Sequence, residues 1–380
     1  MRVAHVITGL GVGGAETMLF RLLSMLPRGD FDPMVLSLSP PGPMGERIAG
    51  LDVPVLSLGM SNRLPQPRAL ARLARELRRF RPDVVQTWMY HADLLGGVAA
   101  RLTTSATVVW GLHNSTLDPV RTPWSTRAVV AACARLSRRL PHCILSCSEV
   151  ARGVHTALGY DAERVIVIPN GFDLGAFRPS AADHAAVRAE LGLAAATVLV
   201  GLVARWDPQK DHASFIGAAA HVARQHPAIH FLLVGTAVDE ANAALSDLVA
   251  GTGFAERFHL LGERADVPRL MAALDVAVSA AAYGEAFPLV IGEAMASGVP
   301  CVVTDVGDSA VMVGATGRVV PPREPVALAA ALRDLLALTP EQRRELGASA
   351  RARVGAEYDL TAVAGRYADL YRSLVACDHC

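Results

Sequence analysis

Short apolar segments rich in β-branched residues alternate with longer stretches of Ala, Leu and Arg along most of the chain. Segments that are apolar on both faces are typical of parallel sheets that helices cover on both sides. The pattern therefore predicts an α/β protein in which each short segment is a strand. The predicted strands are 3–8, 34–38, 83–87, 107–111, 144–148, 165–169, 198–204, 230–235, 258–262, 276–280 and 300–304.

The alternation pauses once, at the turn signal Pro169-Asn170-Gly171 and a loosely patterned stretch that ends near residue 195. A chain of 380 residues with 52% apolar content is long enough for two domains that each bury a core. We therefore expect two Rossmann-like, doubly wound domains, residues 1–171 and 172–359, that face each other across a cleft.

The last part of the chain, from about 340 to 375, has helical spacing of apolar and Arg residues and no strand pattern. We expect helix throughout, with a C-terminal helix over about 360–376 that packs back on the first domain. The final Cys377-Asp378-His379-Cys380 has metal-ligand residue types but no second ligand pair, which favours a frayed end over a metal site. We expect no bound metal.

Charge is balanced overall but uneven along the chain. The formal net charge is zero, so nothing global indicates nucleic-acid binding, although residues 1–170 carry 19 Arg against only 12 Asp and Glu. Six scattered cysteines and no secretory leader pattern fit a reducing compartment, and we expect a cytoplasmic protein. No stretch of about 18 residues is apolar enough to span a bilayer, so any membrane contact is expected to be peripheral.

A glycine-rich turn follows the first predicted strand, with Gly9, Gly11 and Gly14 in the spacing Gly-x-Gly-x-x-Gly. The second predicted strand is not followed by the Asp or Glu that a nicotinamide site normally needs, which argues against NAD. Two interpretations remain. The turn either brings a phosphate to the N–H groups of a helix start, or it serves only tight packing.

Two carboxylates, Glu285 and Glu293, lie eight residues apart after strand 276–280. The first is in a loop, and the second is about one turn into a helix expected to begin near Leu289. The N–H groups of the helix start lie between them, so the assembly suits a ligand with hydroxyls at both ends and a diphosphate in the middle. The alternative is a helix-terminal charge and an ordinary solvated face.

The segment after strand 198–204 contains Arg205 and Lys210, and Lys210 is the only lysine in the chain. A compact ammonium is well suited to binding phosphate as a point charge, although chance retention on a surface turn is the alternative.

His91 and His113 each follow a predicted strand, at the edge where open α/β sheets bind ligands. Either histidine is otherwise an ordinary hydrogen-bonded loop residue.

Taken together in this order and spacing, the motifs resemble those of the family-4 retaining glycosyltransferases, which have the GT-B fold. The resemblance covers almost the whole chain. The matching segments are Gly13 to Glu16, His113, Val167 to Asp173, Arg205 with Lys210, Leu232 to Gly235, and Glu285 to Pro300.

The resemblance implies that most contacts with a nucleotide-sugar donor come from the second domain. Arg205 and Lys210 match the pair that neutralises the diphosphate, Glu285 matches the carboxylate beside the donor sugar, and Glu293 matches the one that grips the ribose. The remaining implied donor contacts in this domain are Phe287, Pro288, Leu289 and Val290. Ala286 and Pro288 replace the two glycines of the commoner Glu-Gly-Phe-Gly pattern.

In the first domain, the resemblance assigns Gly13 and Gly14 to a loop over the phosphates. It places His113 near the sugar and the reacting centre, and Glu16 and His91 on the acceptor side. Arg205, Lys210, Glu285 and His113 are the implied catalytic residues.

The expected activity is retaining, metal-independent transfer of a hexose or N-acetylhexosamine from a UDP-sugar, or less commonly a GDP- or ADP-sugar. The expected acceptor is a sugar, glycan or lipid-linked acceptor in the synthesis of bacterial cell-surface polysaccharide or glycoconjugate, and no cofactor is expected. A nucleotide-sugar epimerase and a non-catalytic binding protein are the alternatives.

The arginine-rich segment from Arg68 to Arg81 has helical spacing and is either a peripheral contact with anionic lipid or a solvated helix.

Overall fold

The apolar segments form two separate parallel sheets, one in each of two units. The computed structural model describes residues 1–60, 67–115, 117 and 122–377. The first unit consists of Met1–Gly171 and Leu360–Cys380, and the second unit is Phe172–Asp359.

The first unit contains a seven-stranded sheet in the order β3-β2-β1-β4-β5-β6-β7. Its strands are β1 (Arg2–Ile7), β2 (Asp32–Ser37), β3 (Val55–Ser57), β4 (Val84–Trp88), β5 (Thr107–Leu112), β6 (Cys143–Ser146) and β7 (Val165–Val167). Its helices before the second unit are α1 (Gly14–Met25), α2 (Pro43–Ala49), α3 (Pro67–Phe80), α4 (Tyr90–Thr103), α5 (Trp124–Leu136) and α6 (Glu149–Ala157).

The second unit contains a six-stranded sheet in the order β10-β9-β8-β11-β12-β13. Its strands are β8 (Val198–Val203), β9 (Ile229–Val234), β10 (Phe258–Leu260), β11 (Val276–Ser279), β12 (Cys301–Thr304) and β13 (Arg318–Val320). Its helices are α7 (Ala181–Glu190), α8 (His212–Ala223), α9 (Ala243–Ala250), α10 (Val267–Ala272), α11 (Leu289–Ala296), α12 (Ser309–Val313), α13 (Pro325–Leu336) and α14 (Pro340–Glu357).

Both sheets have the Rossmann strand order, with a point where the chain reverses its direction of winding. That point lies between β1 and β4 in the first unit and between β8 and β11 in the second, and the strands of each pair are parallel neighbours. Open α/β sheets bind ligands outside the carboxyl ends of the strands at this switch point. The loops that follow these four strands are therefore candidates for ligand binding.

The C-terminal helix α15 (Leu360–Cys377) belongs to the core of the first unit. Val363, Tyr367 and Tyr371 are buried and pack with residues of β1 and α1. The Tyr371 hydroxyl donates a hydrogen bond to Oε1 of Gln86 on β4. The expectation of helix throughout 340–375 was wrong at Tyr358 and Asp359, where the chain leaves α14 and begins α15.

The carboxyl group of Asp93 on α4 is completely buried in the first unit. Its Oδ1 accepts hydrogen bonds from Thr87 Oγ1 at 2.5 Å and from the Gly111 N–H at 3.3 Å. Burial raises the pKa of Asp93 to about 8, although both hydrogen bonds act to lower it. The side chain is therefore mostly protonated at pH 7 in the folded protein, whereas the unfolded chain carries it as a carboxylate.

Replacing Asp93 with asparagine is expected to stabilise the protein more at pH 8 than at pH 5. A raised carboxyl pKa means that the folded state holds a proton that the unfolded state has lost between about pH 4 and pH 8. Stability lost to this group therefore grows across that window by about 1 kcal/mol for each pH unit. Chemical denaturation of both proteins at several pH values measures the difference, and a gap that does not change with pH contradicts the expectation.

Candidate functional site

The loops after β8 and β11 meet because these strands are parallel neighbours at the switch point. Lys210, in the loop between β8 and α8, donates a hydrogen bond from its ammonium to Oε1 of Glu285, in the loop after β11. The two side chains are 19% and 12% exposed, respectively, so the ion pair is partly buried. The structure thus brings together two residues that lie 75 positions apart in sequence.

Two further residues of the same loop organise this pair. Gln209 donates from Nε2 to Glu285 Oε1 at 3.2 Å, and its own N–H donates to Oδ1 of Asp207 at 2.8 Å. The other oxygen of Asp207 accepts from Arg205 Nε at 3.3 Å. Asp207 and Gln209 were not predicted, because the only local signal for them is the Asp-Pro turn that precedes the glutamine.

Helix α11 begins beside Lys210. Leu289 and Val290 are its first two residues, so their N–H groups lie at the helix end that leaves amides without partners inside the helix. A cavity of about 10 Å³, enough for one water molecule, is lined by both Lys210 and Val290. Glu293 lies one turn further along the same helix. Lys210 therefore lies near the positive end of a helix dipole, which is an arrangement that favours an anion.

The backbone of Glu285 is held by the loop that follows β12. Gly307 has φ +61°, and a Cβ at this position would collide with the carbonyl oxygen of Glu285. The neighbouring Asp308 N–H donates to the Ala286 carbonyl at 2.9 Å. Only glycine permits this close approach without strain.

The side chain of Phe287, one of the implied donor contacts, is buried. It is 6% exposed and packs against Phe172 and Tyr358, with ring centroids 6.1 and 5.2 Å away. Gly292 completes the cluster, because a Cβ there would collide with the Phe172 ring. Phe287 therefore anchors the loop in the core, and Pro288 is buried beside it as the residue that precedes α11.

In the first unit, the glycine-rich turn connects β1 to α1 as the sequence predicts, and Gly13 is the residue that caps the helix. A Cβ at Gly13 would collide with the carboxylate of Glu16, so that side chain folds back on the helix start. The positive end of the helix favours this position for a carboxylate. Glu16 therefore has a structural role that the resemblance alone does not indicate.

His113 directly follows β5 and stacks on Trp88 at the end of β4, with ring centroids 5.0 Å apart and planes 18° apart. Burial lowers the pKa of His113 to about 4, so the imidazole is neutral near pH 7. Its Nδ1 has no hydrogen-bond partner within the part of the chain that the structure describes. His91 lies in the first turn of α4, also at this edge of the sheet.

No group of three or more His, Cys, Asp and Glu side chains suited to a metal occurs within residues 1–60, 67–115, 117 and 122–377. The sequence contains one Asp-x-Asp triplet, Asp30-Phe31-Asp32, but it lies where β2 begins, away from the carboxyl ends of the strands. Its Asp30 carboxylate accepts from Arg372 at 2.7 Å. Of the predicted frayed end, Cys377 to Cys380, the first residue belongs to α15 and the other three lie outside the described residues.

Comparison with known proteins places these features in a family. The Glycosyltransferase Family 4 model matches residues 12–176, and the Glycosyl transferases group 1 model matches residues 197–338. EpsF of Bacillus subtilis, which is named as a glycosyltransferase, is 30% identical over 317 residues, covering 80% of this chain and 79% of EpsF.

An Escherichia coli enzyme named UDP-Gal:alpha-D-GlcNAc-diphosphoundecaprenol alpha-1,3-galactosyltransferase is 27% identical over 80% of each chain. Anabaena Alr3699/HepE, solved in complex with UDP, has the same fold with a TM-score of 0.86 and 24% identity, covering 98% of this chain and 100% of that one. The two family matches and the relatedness to EpsF show that this chain belongs to the family-4-like glycosyltransferases of the GT-B fold.

Proposed function

We propose that this glycosyltransferase transfers a hexose or N-acetylhexosamine from a UDP-sugar, without a metal and with retention of anomeric configuration. The acceptor is a sugar, a glycan or a lipid-linked saccharide of a bacterial cell-surface polymer. One observation carries the proposal: Lys210 pairs with Glu285 directly beside the N-terminus of α11. The pairing unites a phosphate-binding cation, a helix dipole and a hydroxyl-binding carboxylate.

The leaving group accounts for the cationic part of this arrangement. When a nucleoside diphosphate departs, negative charge builds on its β-phosphate, and oriented donors that meet this charge stabilise the transition state by several kcal/mol. We assign this role to Lys210, Arg205 and the amides of Leu289 and Val290, all of which belong to the second unit. Glu285 would bind a hydroxyl of the donor sugar, and Glu293 would bind the ribose.

The proposed donor base rests on relatives. HepE was solved with UDP and also with UDP-glucose, and the E. coli relative is named for transfer from UDP-galactose. That relative's acceptor is a diphosphoundecaprenol-linked saccharide by name. These names support a uridine nucleotide and a lipid-linked acceptor for this chain.

A donor panel tests the proposal. The full chain is heated with UDP-glucose, UDP-galactose, UDP-N-acetylglucosamine, GDP-mannose and ADP-glucose, because a ligand of the native state raises Tm. The best donor is then incubated with acceptor saccharides in the presence of EDTA, and the anomeric proton of the product is observed by NMR.

An α-linked product from an α-linked donor, formed in EDTA, supports retention without a metal. Donor binding with no release of nucleoside diphosphate under any acceptor favours a binding protein. Conversion of the donor sugar without any acceptor favours an epimerase. Absence of a Tm shift with every nucleotide sugar contradicts the proposal.

We also propose a peripheral contact between the first unit and anionic lipid. Helices α3, α4 and α5 bury apolar side chains in one core cluster, and the surface they leave to solvent is strongly basic. Within α3, α4 and α5 the carboxylates are Glu76, which is 12% exposed, and the buried Asp93. The exposed arginines on or directly after these helices are Arg68, Arg72, Arg75, Arg78, Arg79, Arg81, Arg101, Arg127, Arg135, Arg138 and Arg139.

Two large apolar side chains accompany this charge. Trp124 is 75% exposed and Leu102 is 72% exposed. Arginine with exposed tryptophan is the combination that binds the headgroup region of a bilayer. No helix in the described part of the chain is long and apolar enough to cross a membrane.

Charge reversal at Arg68 and Arg72 is expected to weaken binding to vesicles of phosphatidylglycerol and phosphatidylcholine by at least about tenfold, since each cation near such a surface contributes ~1 kcal/mol. Co-sedimentation at low and high salt measures this. Arg344→Glu on α14, whose side chain is 74% exposed, is the matched control and should bind like the wild type. If the wild-type chain does not bind anionic vesicles at low salt, the lipid contact is contradicted and α3 is an ordinary solvated helix.

A further inference from the structure

The carboxylate of Glu285 is held by two donors from one loop. Lys210 and Gln209 both donate to its Oε1, the latter from Nε2 at 3.2 Å. A carboxylate only accepts hydrogen bonds, so the glutamine must present its NH₂ group, and the orientation of this amide is fixed by chemistry. One donor is a cation and the other is neutral.

Gln209 is itself fixed at three points. Its N–H donates to Asp207 Oδ1 at 2.8 Å, and its carbonyl accepts from the Ala282 N–H at 2.8 Å. Its side chain lies against Gly284, whose φ is +80°, and a Cβ there would be 3.1 Å from Gln209 Nε2. Gln209 is therefore attached to the loop that carries Glu285.

The two roles proposed for Lys210 conflict. The ammonium has three N–H donors but only one positive charge, so a donor diphosphate that draws it closer weakens its interaction with the Glu285 carboxylate. Glu285 is only 12% exposed, and a carboxylate at that depth is destabilised when it loses a hydrogen-bond donor. A neutral donor that stays in place resolves the conflict.

We propose that Gln209 is a positioning residue, which keeps Glu285 directed at the donor sugar while Lys210 turns to the diphosphate. The inference rests on the proposed function of the site. It separates two parts of the ligand, because binding of UDP requires Lys210 but not Glu285, whereas binding of a UDP-sugar requires Lys210 and an oriented Glu285.

Calorimetry with UDP and UDP-glucose tests this separation on Gln209→Leu, with Gln225→Leu as the control because Gln225 is exposed beyond the end of α8. The affinity of Gln209→Leu for UDP should stay within about twofold of the wild type. Its affinity for UDP-glucose and its kcat should fall by about tenfold to a hundredfold, the range for losing a hydrogen bond to a charged group. Gln225→Leu should match the wild type in both.

A second variant, Gln209→Glu, has an activity whose dependence on pH distinguishes a positioning role from a merely structural one. As a carboxylate it repels Glu285, but once protonated it donates a hydrogen bond as glutamine does. Its activity relative to the wild type should therefore rise as pH falls from 8 to 5, while the ratio for Gln209→Leu stays flat. The other titratable groups of these loops are common to all three proteins and largely cancel in the ratio; they are Arg205, Asp207, Lys210, Asp211, Tyr283, Glu285, Asp305 and Asp308.

Two results would overturn the inference. One is wild-type kcat and UDP-glucose affinity in both variants at neutral pH. The other is an equal loss for UDP and UDP-glucose in Gln209→Leu with no pH-dependent recovery in Gln209→Glu, which indicates a structural residue. The test uses UDP-glucose, or the nucleotide sugar that the wild-type chain binds best if that is another one. If the wild-type chain binds none of them, the proposed function itself has failed, which is a distinct outcome.

Discussion

Replacing Lys210 with alanine is expected to lower kcat by about a hundredfold to a thousandfold, the usual effect of removing one donor that meets charge in a transition state. The variant should still fold, because the lost ion pair is partly exposed and Gln209 continues to donate to Glu285. Steady-state kinetics with the best donor and thermal unfolding measure the two effects. A wild-type rate for Lys210→Ala would show that the ammonium does not contribute to catalysis.

Two further measurements make this prediction sharper. Lys210→Arg keeps the charge but changes the shape of the cation, and we expect it to recover only part of the rate. Because Lys210 is the only lysine, an amine-reactive reagent can modify only its side chain and the N-terminal amine. A saturating UDP-sugar should protect Lys210 from modification, and unprotected labelling would show that the donor does not reach it.

Replacing Gly307 with alanine is expected to reduce the rate of sugar transfer by about a hundredfold. A displacement of a catalytic group by about 1 Å has an effect of that size. The new methyl group collides with the Glu285 carbonyl, so the loop that carries the carboxylate has to move. The position also has φ +61°, where alanine is strained by about 1 kcal/mol. Kinetics and Tm of the variant report both contributions.

Gly192 provides a matched control for the strain. Its φ is +67°, close to that of Gly307, but a Cβ there meets nothing within 4 Å. Gly192→Ala should therefore show the strain alone, as a Tm lower by a few degrees with full activity. Equal effects of the two substitutions would mean that contact with Glu285 is unimportant.

The strands of both sheets were largely predictable from their apolar runs, and the two that were missed share one property. β3 and β13 have three residues each and lie at an outer edge of their sheets. β7 and β10 are equally short edge strands but were predicted, because they lie in longer, mostly apolar runs, whereas the apolar runs at β3 and β13 are only two residues long. The break at Tyr358 was also missed, because the chain passes between units there without a glycine or proline.

The candidate site was predictable where a residue type is itself informative and not where it acts through a neighbour. A solitary lysine and two spaced glutamates were enough to indicate Lys210, Glu285 and Glu293 from residue type and spacing. Gln209 supports the site through contacts that span 76 positions, and sequence spacing carries no signal for these. The inward packing of the Phe287 side chain is likewise not indicated by its place in the motif, and its contact with the donor stays a prediction.

The return of the chain to its first unit has a consequence for synthesis. Helix α15 supplies Tyr367 and Tyr371 to a core whose strands are all translated before the second unit, whereas α15 itself is translated after that unit. A nascent chain that stalls before Leu360 should therefore expose the apolar surface of α1 and recruit chaperones, while residues 172–359 are already able to fold.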